Sequence, residues 1–453
     1  MGLGLIHYIP FIAYLGFWVM CLVSLVWRPL WGLYYLIPFL PYRSFRNHFF
    51  DYFMGTNVLS LLVLAVIVGA LLHGKRLPKS KLYAIWLVIG VYLYFSMWMG
   101  AALGHAPLPL WLHDENFVLW KDYMVVPLVL VATSLVVEDR KAIRTVVVIT
   151  AITLLFIDRS CILESMQHSW ARFDESKRDL GPLQYGSNLT AAFLAEFAMF
   201  FWGFQQFVKA KKYKLIGYML IAMTLAALMY TFSRGGYLAL LFGVLVLGVV
   251  KDRKLLVIFG VFLLTWQLIV PVAVRERVTM TKDASGQLEA SAQERVDLWE
   301  ESWHSIVRSP IVGNGYATIS FAQHVHDLDD THNWFVLVMV ETGIIGLLMA
   351  FVLFGYLLAT SFRLFRRAKD PLYRGLGLGI FVAMCSSLVA NCFGNRWTYL
   401  EISGPLFVLV GAAVRATQLS GIKQASELPI HSIAHLSRQP LPAMHRLSSE
   451  RHP

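Results

Sequence analysis

The chain has 453 residues, 57% of them hydrophobic and only 15% charged, with a mean hydropathy of +0.59. That balance excludes an ordinary soluble globule and points to a polytopic membrane protein. A formal net charge of +11 would suggest nucleic acid in a soluble chain. Here the basic residues sit mostly in short connections between apolar runs, where they set orientation in a bilayer, so no nucleic-acid partner is expected.

A helix needs about 20 apolar residues to cross a bilayer, with roughly 17 to 25 acceptable. Runs of that kind lie at 5–27, 57–73, 82–103, 117–137, 142–160, 187–208, 214–231, 236–250, 254–272, 333–361, 373–394 and 397–416. The chain therefore reads as an all-α polytopic membrane protein with about 12 transmembrane helices. Pro29 to Tyr42 is apolar but short and carries three prolines, so it is either a thirteenth span or an interfacial segment. Met1 to Pro10 lacks the basic region of a cleavable signal, and the first run is expected to stay as a span. The four cysteines have no spacing that reads as a metal site or a disulfide framework.

Five connections are short and basic: 74–81, 138–144, 209–214, 251–254 and 363–374. They recur at every second span, so all can be cytoplasmic at once. The connections 104–116, 161–186, 232–235, 273–332 and 395–396 then face outward. One transmembrane domain is expected over 1–417, with a large outer loop at 273–332 that carries a short amphipathic helix. The tail at 418–453 is rich in Ser, Pro, His and Arg and is expected to be disordered and cytoplasmic. With twelve spans the N-terminus lies inside; with thirteen it lies outside.

Polar residues gather at the outer ends of the spans: Lys121, Asp122, Asp158, Arg159, Arg172, Arg178, Tyr185, Asn188, Glu196, Asn391, Asn395 and Arg396. Each alone reads as an interfacial anchor or a snorkelling side chain. Together they give the outer face more basic residues than charge bias asks for, and that excess suggests an anionic ligand.

Three motifs stand out. Ser233-Arg234-Gly235-Gly236 joins two apolar helices with almost no loop, Ser233 being a natural N-cap. Arg234 then starts a helix, where backbone N–H groups and the dipole favour an anion, and its planar fork suits phosphate; a lipid-headgroup anchor is the plainer reading. In the segment 293–307, Val296, Trp299, Trp303 and Ile306 recur at helical spacing, which predicts an amphipathic helix over the membrane core. Arg295 opens that helix; its plainer role is an ion pair with Glu294 or Glu300. Thr331-His332-Asn333-Trp334 closes the loop. Histidine is the side chain best placed to take a proton near neutral pH, although a His at a helix end is more often structural. Glu341 is expected two and a half turns deeper, facing another helix or a polar cavity. His324, His326, Asp327, Asp329, Asp330 and His332 crowd together, but their spacing matches no metal motif, and no metal or cofactor is expected.

Ser233-Arg234-Gly235-Gly236, Arg295-Val296-Asp297-Leu298-Trp299, the Pro310–Gly315 turn, and His332-Asn333 with Gly343 and Gly346 occur in that order. Together they resemble the O-antigen ligase and O-antigen polymerase superfamily of bacterial envelopes, most closely from about 185 to 355. The resemblance implies a glycosyltransferase in the bacterial inner membrane. Its donor would be an undecaprenyl-diphosphate-linked glycan, handled at the periplasmic face among membrane lipids. Its acceptor would be a glycan or lipid A-core hydroxyl. Arg234 and Arg295 would bind the diphosphate and stabilise its departure, with His332 as general base; displacement would be direct and inverting, without metal. Arg172, Arg178, Asn188 and Arg396 are weaker candidates for substrate contact. An O-antigen or exopolysaccharide polymerase, or a protein O-oligosaccharyltransferase, would share this chemistry. A lipid-linked glycan flippase is the rival from another class. Polar residues collected at one face, with no visible repeat, speak against a transporter, whose polar residues lie near the midplane.

Overall fold

The computed structural model describes residues 8–104, 106–111, 113–168, 172–175, 178, 181–280, 290–319 and 331–422. The tail from 423 and the His- and Asp-rich run at 324–330 lie outside the described residues. Within them the chain is helical, without a strand. In chain order the helices are α1 (Ile9–Val26), α2 (Pro29–Leu36), α3 (Arg43–Arg46), α4 (Val58–Leu72), α5 (Lys81–Gly104), α6 (Glu115–Val136), α7 (Arg140–Ser165), α8 (Ser187–Gln205), α9 (Lys211–Met229), α10 (Arg234–Val250), α11 (Lys254–Ile269), α12 (Val272–Thr279), α13 (Ala290–Arg308), α14 (Trp334–Arg367), α15 (Pro371–Asn391) and α16 (Leu400–Leu419).

Eight of these are long and apolar enough to cross a bilayer: α1, α5, α6, α7, α9, α14, α15 and α16. The bent pair α11–α12, broken by 111°, would make a ninth. The other expected spans are also helices, but α4 and α10 have only 15 and 17 residues, and α8 is not among the eight. α8 is instead the central helix of the bundle, buried along nearly its whole length against α15, α10 and α9.

The five basic connections meet at one end of the bundle. Lys75 pairs with Glu138, and the Arg140 guanidinium with Asp370 at 2.5 Å. Lys251 and Arg374 both stack on the Phe207 ring, at 5.1 and 4.8 Å. At the opposite end Tyr42 bonds Ser160, the Ser44 amide donates to the Pro182 carbonyl, and Tyr185 packs on Tyr399.

These two ends decide how the N-terminal segment runs. The Tyr14 hydroxyl donates to the Phe53 carbonyl just before α4, and Ser24 lies against Gly69 near the end of α4. α1 and α4 are therefore parallel, and residues 28–56 return between them. Eight residues make α2 only about 12 Å long, too short to span alone. The chain nevertheless continues through Ile37–Phe39 to Tyr42, at the far end beside Ser160.

α14 departs from the single span expected at 333–361. Gly343 has φ 62° and ψ −166°, a backbone region open essentially to glycine alone. The Trp334 ring lies 5.5 Å from that of Phe354, and Phe335 stacks 5.9 Å from Phe351. In a straight helix residues 335 and 351 would stand about 24 Å apart. The chain doubles back at Gly343 into a hairpin with a short arm, 334–342, and a spanning arm, 344–367. Glu341 accordingly sits at the reversal rather than deep in a span.

Residues 309–319 seal the break. The Asn314 and Gly315 amides donate to the Val340 and Glu341 carbonyls at 2.9 and 2.8 Å, and the Ile344 amide to the Pro310 carbonyl at 2.9 Å. Tyr92 donates to the Thr342 carbonyl at 2.8 Å. Broken helices in membranes survive only where neighbours satisfy the freed backbone groups, and here the loop supplies them.

Candidate functional site

At the end away from the basic connections lies a cavity of about 300 Å³ lined by five arginines: Arg178, Arg234, Arg277, Arg295 and Arg396. Each comes from a different element: the 161–186 connection, the start of α10, α12, α13 and the α15–α16 turn. Among the described residues, no carboxylate is in its lining. Asn188, Ser233 and Gly235 complete much of the wall.

Local structure fixes four of the five guanidiniums. Phe232 adopts φ 52°, which turns the chain sharply before α10. Ser233 then caps that helix, its hydroxyl accepting from the Gly236 amide at 3.3 Å, so Arg234 is the first helical residue. Arg234 donates to the Met280 carbonyl at 2.8 Å, beyond the end of α12. α12 docks on the same turn through Ala273 and Val274 against Phe232. That docking buries Arg277, which is 3% exposed and stacks 4.9 Å over Phe173. Arg178 donates to Asn188 at 2.9 Å and to Glu175 at 3.0 Å, and Glu175 also faces Arg277 at 3.5 Å. Burial, which disfavours the charged guanidinium, lowers the Arg178 pKa from its ordinary value. Arg396 donates to the Phe393 carbonyl at 3.2 Å, while Asn391 accepts from the Arg396 and Trp397 amides.

His332 is not among the residues lining this cavity. It precedes the N-cap of α14 with φ 50°, another left-handed residue. Asn333 caps the short arm by accepting from the Phe335 and Val336 amides. The Trp299 indole donates to the Thr331 carbonyl at 3.0 Å, tying the start of that arm to the helix that carries Arg295, one turn away. Among the described residues no group of three or more His, Cys, Asp or Glu could hold a metal ion.

The structure thus gathers Arg178, Asn188, Arg234, Arg295 and Arg396 around one cavity and places His332 on a segment bonded to the helix that carries Arg295. Arg172 is exposed and outside the lining. Sequence reasoning passed over Arg277: nothing in Arg275-Glu276-Arg277 says which arginine the Phe232 contact turns inward. On α13 the stripe Val296, Trp299, Trp303 is exposed at 40%, 42% and 63%, and the helix packs on the rest of the protein through Leu298 and Ser302.

A helical bundle with several helices long and apolar enough to cross a bilayer, and a cationic cavity at one end, is the architecture of a polytopic membrane protein. Residues 217–351 match the family model described as O-antigen ligase, a stretch that contains Arg234, Arg277, Arg295, His332 and the Gly343 reversal. Over that stretch the chain is similar to the O-antigen ligase family. No curated protein matches the chain.

Proposed function

We propose that this chain is an inner-membrane transferase that moves a glycan from undecaprenyl diphosphate to an acceptor hydroxyl at the periplasmic face. The observation that carries the reading is the convergence of five arginines from five elements on one cavity. A diphosphate is the anion such a chamber suits: planar guanidinium forks bind phosphate oxygens two at a time. Their fixed charge also stabilises the negative charge that grows on the leaving group.

In this mechanism Arg234 and Arg295 grip the diphosphate, with Arg178, Arg277 and Arg396 completing the cradle. His332 accepts the proton of the acceptor hydroxyl. The acceptor oxygen forms the new bond to the anomeric carbon as the carbon–oxygen bond to the diphosphate breaks, with inversion. Diphosphate leaves as an anion already held by positive charge, so neither a general acid nor a metal is required. A polymerase, with a second lipid-linked glycan as acceptor, or a protein O-oligosaccharyltransferase would run the same steps; a flippase would not.

The test is transfer in vitro from a defined lipid-linked donor, with and without EDTA. We expect transfer to persist in EDTA and to be lost in His332→Ala, Arg234→Ala and Arg295→Ala, each still inserted in the membrane. Full transfer by His332→Ala would remove the general-base role, and loss in EDTA would remove the metal-independent mechanism.

A further inference from the structure

A second cavity opens at the same end of the bundle, about 450 Å³ in volume, within the usual range of small-ligand pockets of roughly 300–1,000 Å³. The two cavities share a wall. Asn395 lines the second and Arg396 the first; Tyr185 lines the second and Asn188 the first. The segment from Thr331 into the short arm of α14 links the second cavity to the helix of Arg295. Its Leu337 and Glu341 line the second cavity, while Thr331 is bonded to Trp299 on the helix of Arg295.

The chemistry of the second cavity is opposite to that of the first. Its lining carries four carboxylates, Glu115, Asp122, Glu341 and Glu401, against two guanidiniums, Arg43 and Arg46. One of those guanidiniums is already paired, Arg46 with Glu401. The Arg43 guanidinium is laid 3.7 Å over the Tyr185 ring, and Tyr185 lies 4.3 Å from Tyr399. Arg43 thus covers one face of Tyr185, and the aromatic surface left beside carboxylate and amide oxygens is the remaining exposed part of the Tyr185–Tyr399 pair. A second diphosphate would be repelled here. A sugar suits it: neighbouring hydroxyls donate in pairs to one carboxylate, and its C–H groups pack against the aromatic surface that remains exposed. Asp122 keeps 57% of its side chain exposed, so it can be reached.

We propose that this second cavity binds the acceptor, as a neutral or amino-substituted glycan, across the 395–396 turn from the diphosphate chamber. The inference rests on the transferase reading only for the word acceptor; glycan binding itself is testable without a donor. The protein is placed in lipid nanodiscs free of glycoside detergent. Soluble neutral and aminosugar disaccharides, with a disaccharide 1-phosphate as counter-probe, are titrated against its tryptophan fluorescence. Neutral or amino disaccharides are expected to bind more tightly than the phosphate. Tyr185→Ala and Asp122→Asn should weaken that binding by ten-fold or more. Tyr185→Phe, which keeps the ring, should retain it, as should Arg234→Ala in the other chamber. Failure of all disaccharides to bind, tighter binding of the phosphate, or equal loss in Arg234→Ala would overturn the inference. None of these outcomes involves the lipid-linked donor, so absent transfer by the wild type would count against the transferase reading separately.

Discussion

Gly343→Ala is the sharpest test of the architecture around His332. Gly343 holds φ 62° and ψ −166°, where a side chain costs of order 1–3 kcal/mol. The added Cβ would also fall on the Ile311 carbonyl and within 2.6 Å of the Val312 amide. Both are backbone, so the neighbour cannot rotate away. The 309–319 segment would have to move off the reversal. Four backbone bonds join them, from Asn314, Gly315, Ile344 and Ile345, each worth roughly 0.5–1.5 kcal/mol. Together with the strain this gives about 3–9 kcal/mol, a large part of a typical stability of about 5–15 kcal/mol. Gly355 lies on the spanning arm of the same helix with nothing within 4 Å of an added Cβ, so Gly355→Ala should be neutral or stabilising by up to about 1 kcal/mol. Reversible unfolding in mixed micelles measures both. Equal stability of Gly343→Ala, Gly355→Ala and wild type would refute the hairpin.

Other expectations follow from the same geometry. In a Cys392→Ser background, Phe335→Cys with Phe351→Cys should react within one molecule with a short bis-thiol reagent; a straight helix, with about 24 Å between them, would leave the two unlinked. Arg277→Ala should lower transfer by about 10²-fold, the scale for removing one group that stabilises developing charge, whereas Arg172→Ala should transfer like wild type; the reverse order would show that the cavity lining does not define the site. We also infer that residues 28–56 recross the membrane, which puts the N-terminus on the side of the arginine chamber. A tag before α1 should therefore be reached by impermeant reagents together with a cysteine at Arg172, and not with one at Lys212; the opposite pattern would place the N-terminus inside.

The two ends of the bundle were legible in the sequence because Lys and Arg in short loops report orientation directly. Ser233 and Asn333 were legible as caps for a local reason: a side-chain oxygen before an apolar run satisfies the first amides of a helix. The reversal at Gly343 was not. It lies in an unbroken apolar run, and hydropathy cannot distinguish one long helix from two arms folded together. The only marks are Glu341 and Thr342 beside a glycine, a pattern equally at home in a continuous span. Arg277 stayed hidden because its orientation depends on Phe232, more than forty residues earlier, and on the 111° turn between α11 and α12. The apolar stripe of α13 was legible from its helical spacing, but spacing alone does not say that Leu298 and Ser302 are the residues that face the protein.

Gathering five guanidiniums has a cost that makes one more measurement decisive. A sphere of about 300 Å³ is only about 8 Å across. At that separation and an effective dielectric of about 20, two like charges repel by about 2 kcal/mol. Glu175, beside Arg178 and Arg277, offsets part of this. The fold holds each arginine in place from a separate element. An anion that fills the chamber relieves the repulsion and stabilises the folded state in proportion to its affinity, by about 2.7 kcal/mol at a hundredfold excess over Kd. Inorganic pyrophosphate should therefore raise the unfolding temperature well above the effect of chloride at matched ionic strength. Arg234→Ala with Arg295→Ala should begin more stable than a simple loss of contacts predicts, because repulsion falls, and should lose the response to pyrophosphate. If pyrophosphate does no more than chloride, or stabilises the double variant as it does the wild type, the chamber is not a diphosphate site, whatever the transfer assay returns.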